Sequence, residues 1–148
     1  MGKLEKAVRP EESIADLVIP GSKVAIVQEG NTLEHALLVL IKSGYTAIPV
    51  LDRDYKLKGL ISMPLILDTA LGIERIEFEQ LGTRRVEEVM NTKVGWMRES
   101  GTFFRGLELS INHPFLCVVD EEGVFKGILT RKSILATLHK QMKNAPKE

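Results

Sequence analysis

Several features that would place a protein in a class at sight are missing from this sequence. Cysteine occurs once, at Cys117, so no internal disulfide framework exists. Neither charge is in excess: twenty basic residues face twenty acidic ones. A general polyanion binder needs a concentrated basic surface, so DNA and RNA are not expected partners and any phosphate recognition must be local. Met1 to Arg9 lacks the apolar run of a signal peptide. No apolar stretch approaches the ~18 residues of a membrane span. These absences lead to the expectation of a soluble, cytoplasmic protein. His35, His113 and His139 have no partners at ligand spacing, so neither a metal nor a resident cofactor is expected. No nucleophile elbow, P-loop lysine motif or metalloprotease helix occurs, and no two carboxylates stand out as an acid/base couple. The pattern argues against an enzyme.

What the chain does have is a globular balance, 44% hydrophobic and 27% charged, and one unit written twice. The first copy runs from about Ser13 to Asp68, the second from about Arg85 to Leu138. Each opens with a short amphipathic stretch, Ile14 to Val18 and Val86 to Met90. A short strand follows, Lys23 to Val27 and Lys93 to Met97. A helix comes next. In the first copy Asn31 or Thr32 caps it, Glu34 suits its first turn, and Leu33, Ala36, Leu37, Leu40 and Ile41 recur at helical spacing. Phe103, Phe104, Leu107 and Ile111 correspond in the second. Ser43-Gly44 and Asn112-His113-Pro114 are stop signals. Two apolar strands then pair, Tyr45 to Asp52 with Leu57 to Ser62, and Phe115 to Asp120 with Phe125 to Thr130. A closing helix starts near Leu65 and near Ser133.

Strand, helix, strand, strand, helix, written twice, predicts an α/β fold with pseudo-two-fold symmetry. Each half, of roughly 55–60 residues, is marginal for an independent core, so two small sheets should bury their apolar faces against each other. The expected organisation is a first motif over 8–68, a connecting helix over 69–84, a second motif over 85–139 and a flexible polar tail over 140–148. Cys117 reads as a small buried hydrophobe. Trp96 and Met97 mirror Ile26 and Val27 and suit either the core or a partner-facing patch.

The pattern Gly44-Tyr45-Thr46-Ala47-Ile48-Pro49-Val50-Leu51-Asp52, followed by Leu57-Lys58-Gly59-Leu60-Ile61-Ser62, resembles a CBS motif. Phe115 to Asp120 with Gly127-Ile128-Leu129-Thr130 resembles a second. The resemblance implies a CBS pair, or Bateman module, with ligand clefts between the motifs and assembly as a homodimer. More narrowly, Lys23-Val24-Ala25, Leu33 to Leu40, Gly44 to Asp52, Leu71 to Glu79 and Gly127 to Arg131 are similar to the stand-alone CBS-pair proteins of Gram-positive bacteria that bind cyclic di-AMP, the CbpB/DarB type. Such proteins imply a partner, a cytosolic metabolic enzyme or a (p)ppGpp synthetase/hydrolase, whose contact the second messenger opposes.

One occupied cleft per chain is expected, because the first copy's ending, Ser62-Met63-Pro64-Leu65, offers no cation and Pro64 no N–H donor. Backbone groups at Lys23, Val24 and Ala25 would read the base edge, with Ala25 leaving room for a flat ring. Tyr45 would stack on the base, Thr46 would offer a hydroxyl, and Ala47 completes that wall. Ile128 and Thr130 come from the second motif, Thr130 toward a ribose hydroxyl, while Arg131 and Lys132 meet phosphate. Many nucleotide-binding copies carry an aspartate three residues after the Ser/Thr. Here Leu65 and Ser133 stand there. A phosphodiester at the 3′ position suits a neutral serine better than a carboxylate, which favours the cyclic dinucleotide over AMP, ADP or ATP. The plainer alternatives are that Tyr45 caps the core, that Lys23, Arg131 and Lys132 are solvated charges, and that His35 is structural. An adaptor with empty clefts is the competing function.

Overall fold

The structure is a computed structural model, and it describes residues 12–144. Met1 to Arg9, the expected start of the first motif at residue 8 and the last tail residues, 145–148, lie outside the described residues. The elements are β1 (Ile19–Pro20), β2 (Val27–Gln28), α1 (Leu33–Ser43), β3 (Ala47–Leu51), β4 (Leu57–Ser62), α2 (Met63–Ala70), α3 (Glu79–Thr83), β5 (Trp96–Arg98), α4 (Phe103–Ser110), β6 (Phe115–Val119), β7 (Phe125–Thr130) and α5 (Arg131–Asn144). They form two sheets, β2-β3-β4 and β1-β7-β6-β5. β2 runs parallel to β3 and β5 parallel to β6, while the hairpins β3–β4 and β6–β7 are antiparallel.

Local chemistry fixes the helix ends. The hydroxyls of Thr32 and Thr102 accept from the backbone N–H groups of His35 and Arg105, both at 3.2 Å. Those of Ser62 and Thr130 do the same for Leu65 and Ser133. α1 stops at Gly44, which takes φ +77° and donates its N–H to the Leu40 carbonyl. The hairpin turns are closed alike. Asp52 accepts from the N–H groups of Asp54 and Lys56, and Asp120 from those of Glu122 and Val124. These bonds, from Lys56 and Val124 above all, hold both carboxyls below the usual aspartate range.

The two motifs exchange their opening segments, which the repeat alone does not reveal. β1 belongs in sequence to the first motif but pairs with β7 of the second, Ile19 opposite Ile128 and Pro20 opposite Gly127. Reciprocally, Asn91 bridges to Leu60 of β4. Ser13 bridges to Thr102, and Arg85 to Thr32. The cores follow. Ile14, fully buried, packs with Met97, Phe103, Leu116, Val118, Leu129 and Ile134 of the second motif. Val86, fully buried, packs with Leu33, Leu40, Ile48 and Ile66 of the first. Each such burial is worth about 1.5–3 kcal/mol relative to exposure. A third cluster, Leu51, Cys117, Phe125 and Ile128 with Val24, Ile26 and Val94 beside them, joins the two sheets.

Two expectations are corrected. The connecting segment is not one helix: only Glu79–Thr83 is helical. Before it, the chain folds back so that Leu71 bridges to Ile76 and the Gly72 N–H donates to the Arg75 carbonyl at 2.9 Å. Gly72 is a poor helix former, and a Cβ there would lie 2.8 Å from the Arg75 carbonyl. The Arg75–Glu79 ion pair forms regardless. The tail is helical as far as Asn144, because α5 runs through Lys140. Cys117 is buried as expected, which pushes its thiol up to about 12. Met97 is buried, whereas Trp96 is 46% exposed.

Candidate functional site

The predicted residues come from three places that the strand registers relate. Lys23 ends a short 3-10 turn, Gly21–Lys23, and is exposed. Val24 donates its N–H to the Gly21 carbonyl at 3.1 Å and packs in the cluster that holds Ile128. Ala25 packs against the first core. β2 and β3 pair in parallel with Val27 opposite Val50, so the residues that lead into each strand, Lys23 to Ala25 and Tyr45 to Thr46, approach the first sheet from the same end. Through β1, the Lys23 to Ala25 segment is anchored to β7 beside Ile128.

The second wall starts where α1 ends. Gly44 turns the chain, and Tyr45 and Thr46 emerge exposed, Tyr45 donating its N–H to the Ser43 hydroxyl at 3.3 Å. The Thr46 backbone carbonyl accepts from the Met63 N–H at 3.2 Å, and Ala47 pairs with Ser62. Tyr45 is 42% exposed, so part of its surface is open to a ligand.

The third contribution is the junction of β7 with α5. Ile128, only 6% exposed, is a core side chain and can offer a ligand little beyond its backbone. Thr130 caps α5, accepting from the Ser133 N–H at 3.1 Å, and the Ser133 hydroxyl donates to the Thr130 carbonyl at 2.9 Å. Arg131 donates from Nε to the Ser110 carbonyl at 2.8 Å and from a terminal nitrogen to the Ile111 carbonyl at 3.4 Å. Its backbone N–H donates to Pro114. The guanidinium thus closes the negative end of α4 and holds further N–H donors in reserve. Lys132 is exposed. Cations at the start of a 14-residue helix, whose N-terminus is itself positive, make a place for an anion.

Two open grooves, of 420 and 250 Å³, lie elsewhere, and none of the ten predicted positions lines them. Both are built round Val94, Trp96 and Arg98 at β5; the larger reaches Arg105, Leu109 and His113, the smaller Lys58 and Asp120. The sequence offered one signal for them, a tryptophan at a position whose counterpart, Ile26, is aliphatic. Among the described residues no group of three or more His, Cys, Asp or Glu could hold a metal ion, and no helix is long and apolar enough to cross a membrane.

Comparison with known proteins places the chain among relatives. The CBS domain family matches residues 14–70 and 86–140. The chain is 47% identical over 137 residues to cyclic di-AMP receptor B of Bacillus subtilis, covering 93% of each protein. A CBS domain-containing protein from Bacillus anthracis superposes with a TM-score of 0.82 at 55% identity, covering 88% of this chain and 95% of that one. The CbpB protein of Listeria monocytogenes, solved in complex with cyclic di-AMP, gives 0.80 at 48% identity, covering 88% and 97%. The family model matches both motifs, the relatives match along nearly the whole length, and the chain belongs to the CBS-domain family as one tandem pair, a single Bateman module.

Proposed function

We propose that this protein is a non-catalytic cytoplasmic receptor. It binds cyclic di-AMP in the cleft between its two motifs and thereby controls contact with a partner enzyme of the (p)ppGpp synthetase/hydrolase type. The observation that carries the reading is the β1–β7 pairing. It ties the residues just before the Lys23–Ala25 segment to the strand that ends at Thr130, one residue before Arg131, so one ligand can span both motifs. The named relatives support the dinucleotide: one is called a cyclic di-AMP receptor and another was solved with that ligand. Chemistry supports it too. Tyr45 offers a free aromatic face, and the junction of β7 with α5 offers guanidinium, ammonium and helix N-terminus to a phosphodiester without a nearby aspartate at position 133.

The protein acts as a homodimer. Leu38 and Ile41 on α1, Phe104 on α4, Ile111 just past its end, and Leu135 and Met142 on α5 are all at least half exposed. Apolar helix faces of that extent favour burial against a second copy.

Calorimetry with cyclic di-AMP, ATP and AMP, without a partner, tests the reading. Micromolar or tighter binding of the dinucleotide alone is the expected result. Preference for a mononucleotide would make the protein an energy sensor, and no binding at all would make it an adaptor. Adding the synthetase/hydrolase with and without cyclic di-AMP tests the partner step: the complex should form only without the dinucleotide.

A further inference from the structure

We propose that the groove beside β5 is a second ligand site, separate from the cleft, for a planar aromatic anion: a ring carrying a phosphate or carboxylate. All of its lining residues, from Val94 to His113, belong to the second motif alone. Its 420 Å³ lies within the range of small-molecule sites.

The argument begins with strand alternation. β5 is the edge of its sheet, and its residues point exposed, buried, exposed. Met97 enters the core, so Trp96 and Arg98 stand together on the outer side. The Arg98 guanidinium carbon lies 5.6 Å from the centre of the Trp96 ring. The equivalent residue in the first motif, Ile26, is packed into the cluster between the sheets. Trp96 is instead 46% exposed. A large aromatic held at the surface beside a concavity is a stacking platform.

Charge completes the chemistry. Arg98 and Arg105 both line the groove. Their acidic partners, Glu121 at 3.4 Å and Glu108 at 2.6 Å, do not. Both ion pairs are solvent-exposed and so contribute little by themselves. An anion can recruit either guanidinium without breaking anything the fold depends on. His113 also lines the groove and lies against Gly95, where a Cβ would come 2.5 Å from the imidazole. Only a glycine at 95 lets that ring sit so close. Indole for the ring, two guanidinium forks for the charge and an imidazole in the lining define the ligand class.

Trp96 is the sole tryptophan, so its indole N–H gives one resonance that reports on this groove. The probe is phenyl phosphate, titrated into ¹⁵N-labelled protein with and without saturating cyclic di-AMP, and inorganic phosphate is the ringless control. The indole resonance should move in a saturable way near about 1 mM probe, equally with and without cyclic di-AMP, and should barely respond to inorganic phosphate. Arg98→Ala with Arg105→Ala should weaken the response about tenfold or more. The remaining spectrum, unchanged, would show that this variant is folded. No saturation by about 10 mM, an equal response to inorganic phosphate, displacement by cyclic di-AMP, or an undiminished response in the folded double variant would each overturn the proposal.

Discussion

Arg131 Nε donates to the Ser110 carbonyl at 2.8 Å, so the residue proposed to grip phosphate also closes the end of α4. The two roles separate by substitution. Arg131→Ala should weaken cyclic di-AMP binding about tenfold or more, roughly 1.4 kcal/mol. It should also lower stability by about 1 kcal/mol through the lost bonds to the helix end. Arg131→Lys keeps the charge and loses the fork, so it should recover less than half of the lost binding free energy. Calorimetry and urea unfolding on the same samples would check both. Unchanged affinity in Arg131→Ala would take the residue out of the site.

Tyr45 should behave differently, because the residue is 42% exposed. Tyr45→Ala should cost about 1–3 kcal/mol of ligand binding through lost stacking and leave the urea midpoint within error. Tyr45→Phe should bind nearly as well as the parent. A large loss of stability in Tyr45→Ala would show the ring to be structural instead.

Two equivalent glycines sit where the exchanged segments cross. A Cβ at Gly127 would strike the Ile19 carbonyl and come within 2.8 Å of the Val18 side chain, and one at Gly59 would lie 2.7 Å from the Asn91 carbonyl. Gly127→Ala and Gly59→Ala should each destabilise the protein by more than about 2 kcal/mol. Only Gly127→Ala pushes on β1, which carries the Lys23 to Ala25 segment. Its affinity for cyclic di-AMP should therefore fall further than that of Gly59→Ala, measured by calorimetry at a temperature where both are folded.

Burial raises the Cys117 thiol from its ordinary 9.0 to about 12. The folded state then holds that proton more tightly than the unfolded chain. The associated stability is complete below about pH 9 and is lost as pH climbs toward 12, at about 1.4 kcal/mol per unit for one proton. Cys117→Ala should be less stable at neutral pH, because it leaves a cavity, yet should lose less on going from about pH 8 to about pH 10. Urea midpoints at the two pH values test this. Equal losses in both proteins would mean that the thiol does not contribute.

Phe104 on α4 is 54% exposed and Ile111, at its C-terminal end, 72%. Introducing aspartate at either position should convert the proposed dimer to a monomer in light scattering, with little change in the folded spectrum. A dimeric mass retained in the Phe104→Asp, Ile111→Asp double variant would place the dimer contact elsewhere.

Much of the fold was legible in the sequence. The unbroken apolar run Phe115 to Val119, the cap at Thr32 and the stop at Gly44 are local signals, and local signals survive folding. The partner of each opening segment was not legible. Ile14 to Val18 shows an apolar face, but periodicity does not say which sheet that face covers. The Leu71 to Leu81 segment misled because Ile73, Ile76 and Gln80 suit a helix face, while Gly72 and the bridge between Leu71 and Ile76 favour a tight fold-back. At the site, residue types pointed to Tyr45 and Arg131. The bond from Arg131 to Ser110, twenty-one positions away, leaves no mark in a linear pattern. The same holds for the meeting of Trp96, Arg105 and His113, which depends on how α4 lies against the edge of a sheet.

The traded opening segments also govern the order of assembly. During synthesis Ile19 and Pro20 appear early but find their hydrogen-bonding partners only when β7, the last strand, has been made. Val86 likewise must arrive before the first core can close. Neither half can mature while the other is missing, so severing the chain between them would yield two incomplete fragments, and the intact molecule should melt in one cooperative step.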